Sequence, residues 1–131
     1  MSKRDQVSKI GDKLVMQMDA PSHEASVVFE DDGDTGYFYA LTPNADGELE
    51  LLDALHVYNA EADLRGADVR FEIEWSDDSK LAALRVNASM WALYDFNAQM
   101  GWSRSNFPPP PGKWRNGEPR PEWDDALVRR L

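Results

Sequence analysis

The residues best placed to do chemistry stand in one run, Glu30-Asp31-Asp32-Gly33-Asp34-Thr35-Gly36, which puts four carboxylates and two glycines between the apolar stretches VVF and YFYAL. Clustered carboxylates suggest a calcium loop, and that reading can be tested by position. An EF-hand needs oxygen ligands at positions 1, 3 and 5, glycine at 6 and glutamate at 12. Counting from Asp31 puts Gly33, Thr35, Gly36 and Thr42 at the third, fifth, sixth and twelfth places. Counting from Glu30 puts Thr35 where glycine belongs and Leu41 where glutamate belongs. Neither frame fits, so the run reads as a hairpin turn and no metal site is assigned. Its glycines then supply positive φ, and its Asp side chains cap unpaired backbone N–H groups.

Other chemistry is sparse. The two histidines, His23 and His56, have no H-x-x-x-H spacing for a metal, and no G-x-S-x-G elbow accompanies the serines. His56 lies in an apolar stretch and reads as a hydrogen-bonded core or edge residue. Adjacent carboxylates such as Asp77 and Asp78, or Asp124 and Asp125, are too common in this chain to single out a glycosidase pair. No catalytic residue and no cofactor is assigned, and the balance of residues leans away from an enzyme. The run Pro108–Pro111 with Lys113 satisfies P-x-x-P-x-K, a polyproline ligand pattern. The favoured role for that segment is structural: Trp102, Phe107 and Trp114 pin a stiff loop across a sheet face, with Arg104 and Asn106 presented for recognition.

The elements that would carry these residues are mostly strands. In VRFEIEW, Val69, Phe71, Ile73 and Trp75 alternate with Arg70, Glu72 and Glu74, the period of a half-buried strand. The following LAALRVN and MWALYDF extend it to an antiparallel meander, and SVVFE with YFYAL forms a second hairpin. The segment LLDALHVYN is ambiguous, because Leu51, Leu52, Leu55 and Tyr58 also suit a helix; turn chemistry in TPNADGE favours a strand. The spacing therefore predicts an α+β, mostly β fold: one antiparallel meander sheet of about six strands, a long Pro/Trp-rich loop and one C-terminal helix. The chain of 131 residues reads as a single domain, with the sheet body at about 8–97, the loop at about 98–120 and the helix at about 121–130. Asp and Glu in the first turn of that helix and Arg129 and Arg130 in its last turn suit the helix dipole.

Charge narrows the function. The formal net charge is −10; residues 1–100 hold 8 Lys/Arg against 20 Asp/Glu, whereas residues 101–131 hold 6 against 4. An acidic body opposes binding to nucleic acid or to anionic membrane, both of which need clustered cations, and favours a basic protein partner. No cysteine is present, no secretory signal is apparent in MSKRDQVSKIGDKLVMQMD, and a cytoplasmic setting is expected.

The strings VVFEDDGDTGYFYAL, LLDALHVYN and GWSRSNFPPPP resemble a family of small bacterial proteins known only as a domain of unknown function. The resemblance spans about residues 25–115 and implies a bacterial cytosolic origin, with no activity or site residue to carry over. The leading expectation is an acidic protein-binding module, an immunity-type inhibitor that occludes the basic active site of a bacterial toxin. Its partner-binding residues would be Glu30, Asp31, Asp32, Asp34, Arg104 and Asn106. The alternative is a small-molecule or enzymatic pocket between sheet and loop, lined by Tyr37, Tyr39, His56, Tyr94 and Arg104. A homodimer or subunit role is a third option.

Overall fold

The computed structural model describes residues 2–105 and 122–131. In chain order the described strands are β1 (Ser2–Lys9), β2 (Leu14–Asp19), β3 (Ser26–Asp31), β4 (Thr35–Pro43), β5 (Leu49–Asn59), β6 (Asp68–Trp75), β7 (Leu81–Val86), β8 (Ser89–Asp95) and β9 (Met100–Ser103). A 3₁₀ helix follows at Asp125–Arg130. All strand pairings are antiparallel, and they form two sheets, one ordered β1-β6-β7-β8-β9 and one ordered β2-β3-β4-β5.

The mostly β character agrees with the alternation in the sequence, but the single six-stranded sheet does not. The expected meander is β6-β7-β8, and the expected hairpin is β3-β4. Three further strands, β1, β2 and β9, divide the molecule into two layers, and the sheet body reaches back to Ser2. The sequence of β1, SKRDQVSK, has no apolar period because its cross-strand contacts to β6 are ionic. Lys9 pairs with Asp68, Arg70 with Asp5, and the Lys3 ammonium lies 3.8 Å from Glu74 and 4.0 Å from Glu72. Such pairs fix register without burial, and charge on an edge strand discourages further strand addition.

β5 is a strand along its whole length, and two β-bulges explain its helical disguise. Its register against β4 steps from Gly36↔Tyr58 to Tyr37↔His56, and from Ala40↔Asp53 to Leu41↔Leu51, so Val57 and Leu52 are the inserted residues. Each insertion shifts the side-chain alternation by one, which sets Leu52, Leu55 and Tyr58 three residues apart.

The main core lies between the two sheets. Phe29 of β3 stacks on Phe71 of β6 at 4.7 Å, and Trp75 stacks on Phe96 at 5.2 Å while its indole N–H donates to the Met18 carbonyl at 3.1 Å. A second cluster sits on the outer face of the five-stranded sheet, where Ala83, Met90, Leu93 and Trp102 meet Leu127 and the partly buried Trp123. The C-terminal segment is thus a cover. Its helix is a 3₁₀ turn rather than an α-helix at 121–130, as befits six residues, too few to offset α-helix nucleation. Asp124 caps it by accepting from the Ala126 N–H, and Arg130 closes it with a 2.6 Å ion pair to Asp95. The expected loop also begins later than 98, since Trp102 belongs to β9. Asn106, Phe107, Pro108–Pro111, Lys113, Trp114 and Pro121 lie outside the described residues.

Candidate functional site

The acidic run forms the turn between β3 and β4 and closes one end of the sandwich. Asp31 is 1% exposed, and both of its oxygens are occupied. Oδ2 accepts from the Gly11 N–H at 2.8 Å and the Tyr58 hydroxyl at 2.5 Å, and Oδ1 accepts from the Gly33 N–H at 2.8 Å. One carboxylate therefore ties the β1–β2 turn, its own turn and β5. Asp32 makes an Asx turn with the N–H groups of Asp34 and Thr35 at 2.9 and 2.8 Å. These donors, that of Thr35 foremost, hold its pKa below the ordinary carboxylate value. Gly33 has φ +102°, as a turn glycine should, but Gly36 serves a different need: a Cβ there would stand 2.8 Å from the Tyr58 ring. Bare backbone at Gly36 lets Tyr58 reach Asp31. Among the described residues no cluster of three or more His, Asp or Glu side chains is arranged for a metal.

Burial, then the hydrogen bond to Asp31, then the Asp31 charge raise the Tyr58 pKa well above its ordinary value. The folded state thus holds a proton that the unfolded chain releases above about pH 10. Stability from Tyr58 is complete below that pH and declines as pH rises beyond it, by up to about 1.4 kcal/mol per pH unit. Urea unfolding between about pH 9 and 11 should show a steeper loss for the parent chain than for Tyr58→Phe. Parallel slopes would refute the coupling.

Of the six expected partner-binding residues, the five that are described do not share one surface. Asp32 and Asp34 are exposed on the turn, with the Arg65 guanidinium 3.9 Å from Asp34, whereas Asp31 points inward. Glu30 faces the other way, onto the outer face of the four-stranded sheet, where Tyr39 donates to it at 3.3 Å. Burial and then the Glu30 charge raise the Tyr39 pKa. Arg104 directly follows β9 of the opposite sheet, bonded to the Met90 carbonyl at 2.9 Å and lying 5.2 Å over the Trp123 ring. Asn106 is outside the described residues.

Of the expected pocket residues, Tyr37, Tyr39 and His56 come together and the others do not. Tyr94 is buried between the sheets against Phe96, at 4.7 Å. The Tyr37 and Tyr39 rings are near parallel at 5.9 Å, and His56 meets Tyr37 edge-on at 5.4 Å. His56 Nε2 donates to the Asn59 Oδ1 at 2.9 Å, which leaves Nδ1 to accept from the Ser105 hydroxyl at 2.9 Å. The Ser105 proton has a second acceptor, the His56 carbonyl at 2.9 Å, and Ser103 donates to the same carbonyl. A carbonyl competing for the serine proton makes this array a clasp between β9 and β5. Ser103 and Ser105 carried no signal in the sequence, because neither spacing nor neighbours mark a serine that bonds across sheets.

Charge is divided between the two layers. The five-stranded sheet carries Lys3, Arg4, Lys9, Arg70 and Arg85, and acidic side chains or carbonyls engage each of them; Arg85 lies 3.0 Å from Glu74, for example. Strands β2 to β5 contain no Lys or Arg, only the acids Asp19, Glu30, Asp31, Glu50 and Asp53. By register, the outer face of this sheet carries Val15, Val28, Glu30, Tyr37, Tyr39 and Leu41, with Leu49 and Leu51 beside them. Val15 is 62% exposed, and Leu49 and Leu51 are about half exposed.

Structure and surface define a two-sheet antiparallel β protein whose distinguishing feature is an aromatic sheet face built from strands without Lys or Arg, with Lys13 at its rim beside Val15 and Glu30. The chain belongs to the family described as "Uncharacterized protein conserved in bacteria (DUF2251)", which it matches over residues 8–131. It is also similar to an uncharacterized protein of Haemophilus influenzae, with 37% identity over 86 residues, or 65% of this chain and 53% of that protein. The chain thus spans about half the length of that relative. No solved structure matches. No helix of the described residues is long and apolar enough to cross a membrane.

Proposed function

We propose that the protein is an acidic protein-binding module, acting in the bacterial cytoplasm as an immunity-type inhibitor that occludes the basic active site of a toxin. The observation that carries this reading is the division of charge. Lys3, Lys9, Arg70 and Arg85 of one sheet pair with carboxylates of that same sheet, while strands β2 to β5 supply acidic and aromatic side chains and no Lys or Arg, with Lys13 standing just ahead of β2. Such a surface repels nucleic acid and anionic lipid and accelerates encounter with a basic protein. An inhibitor of this kind requires complementary shape and charge, with no catalytic group of its own.

The test is retention of a partner by the tagged chain from lysate of its own bacterium, followed by association kinetics with the purified partner. A single basic toxin or nuclease, inhibited on binding and associating about tenfold or more slowly as salt rises from about 50 to 500 mM, is the expected result. A partner whose association ignores salt, or recovery of nothing, would overturn the reading. Mass that rises with protein concentration would point to self-association instead.

A further inference from the structure

We propose that the outer face of the four-stranded sheet is the partner-binding surface, and that the partner presents to it a segment combining Arg or Lys with apolar side chains. The inference rests on the partner-binding reading above and adds the place and the chemistry. Tyr37 and Tyr39 lie near parallel on this face, with Glu30 and Val28 as their respective cross-strand partners, and Glu30 also accepts a 3.3 Å hydrogen bond from Tyr39. Tyrosine faces accept guanidinium groups, a carboxylate beside them adds a charge partner, and tyrosine is enriched among the residues that dominate interface energetics.

Two other described surfaces suit such a segment less well. The outer face of the five-stranded sheet is shared between the ion pairs of Lys3, Arg70 and Arg85 and the cover formed by Trp123 and Leu127. Edge strand β2 is a poor template for strand addition, because the carbonyls of Gln17 and Met18 accept from Arg4 at 2.5 Å and from the Trp75 indole at 3.1 Å. A second copy is a poor occupant, since two chains of net charge −10 repel and the strands of this face bring no Lys or Arg to pair with an opposing Glu30. Charge complementarity selects a basic partner.

A photo-crosslinking phenylalanine derivative placed at position 39, at position 7 or at position 34 in the full chain tests the assignment in cells of the native bacterium. Tyr39 samples the proposed face, Val7 is half exposed on the opposite sheet, and Asp34 stands on the turn. The expected result is a basic protein cross-linked from position 39 and absent from position 7. Once purified, that protein should bind Tyr39→Ala and Glu30→Lys about tenfold or more weakly than the parent chain, with melting temperatures confirming that both variants are folded. Cross-linking of the same basic protein from position 34 or 7 and not 39 would overturn the assigned face while leaving the partner-binding reading intact. No basic protein at any position would overturn both. A product joining two copies, or one returning to residues 106–121 of the same chain, would overturn the proposal by assigning another occupant.

Discussion

Replacement of Asp31 by Ala is expected to lower the free energy of unfolding by about 3–5 kcal/mol, although the residue sits in a run that looks like surface charge. The carboxylate is 1% exposed and receives the Gly11 N–H, the Gly33 N–H and the Tyr58 hydroxyl. Alanine would leave those donors without their partner at the junction of two turns and β5. Each buried donor so stranded costs about 1–3 kcal/mol, with some recovered where water reaches the two turn amides. Asp32→Ala and Asp34→Ala should change stability far less, because both side chains are exposed. Chemical denaturation of the three variants checks the ranking. An Asp31→Ala shift no larger than that of Asp34→Ala would show that the carboxylate does not hold the three elements together. Charge-reversal variants of the turn must therefore be confined to Asp32 and Asp34, with Asp31 left in place, if they are to report on surface charge and not on folding.

The run could be recognised as a turn because its glycines and Asx residues have local consequences, namely positive φ at Gly33 and the short Asp32 ring of hydrogen bonds. Which of the carboxylates turns inward depends on Gly11 and Tyr58, which are 20 and 27 residues away in the chain, and no local pattern encodes that. The same contrast holds for the strands. β6 alternates strictly and was legible, because one face is buried between the sheets. β1 alternates in charge pairing rather than in hydrophobicity, and β5 hides its period behind two bulges. The prediction of one sheet failed where pairing partners are distant: a strand's sequence reports which faces are dry, not which neighbour dries them.

The tyrosine face was legible only in part. Tyr37 and Tyr39 share a face by the two-residue period, and their stacking follows from it. Tyr94 looked equivalent in the sequence, yet it lies between the sheets. Arg104 is set apart for another reason, since β9 carries it to the five-stranded sheet and the Trp123 ring. The cation-free character of β2 to β5 could be counted in the sequence, but it gained meaning only once those four strands proved to form one sheet.

Trp102→Ala carries the second large expected effect, about 3–4 kcal/mol, for a reason the sequence reading placed in a loop. Trp102 is 9% exposed in β9, facing away from the main core into the cluster of Ala83, Met90, Leu93 and Leu127. Its ring also lies 5.4 Å beneath the Arg130 guanidinium, which pairs with Asp95 at 2.6 Å. Removing the indole opens a cavity under the C-terminal cover and removes the surface on which Arg130 is aligned. Amide exchange in Asp125–Arg130 should then accelerate strongly, while β6, which is buried between the sheets, stays protected until global unfolding. Leu127→Ala touches the same cluster from the other side and should cost about 2 kcal/mol. The double variant should lose less than the sum of the two, because each single change already loosens the contact the other depends on. Strict additivity, or a Trp102→Ala midpoint equal to that of the parent chain, would show that the C-terminal segment is not held by this ring.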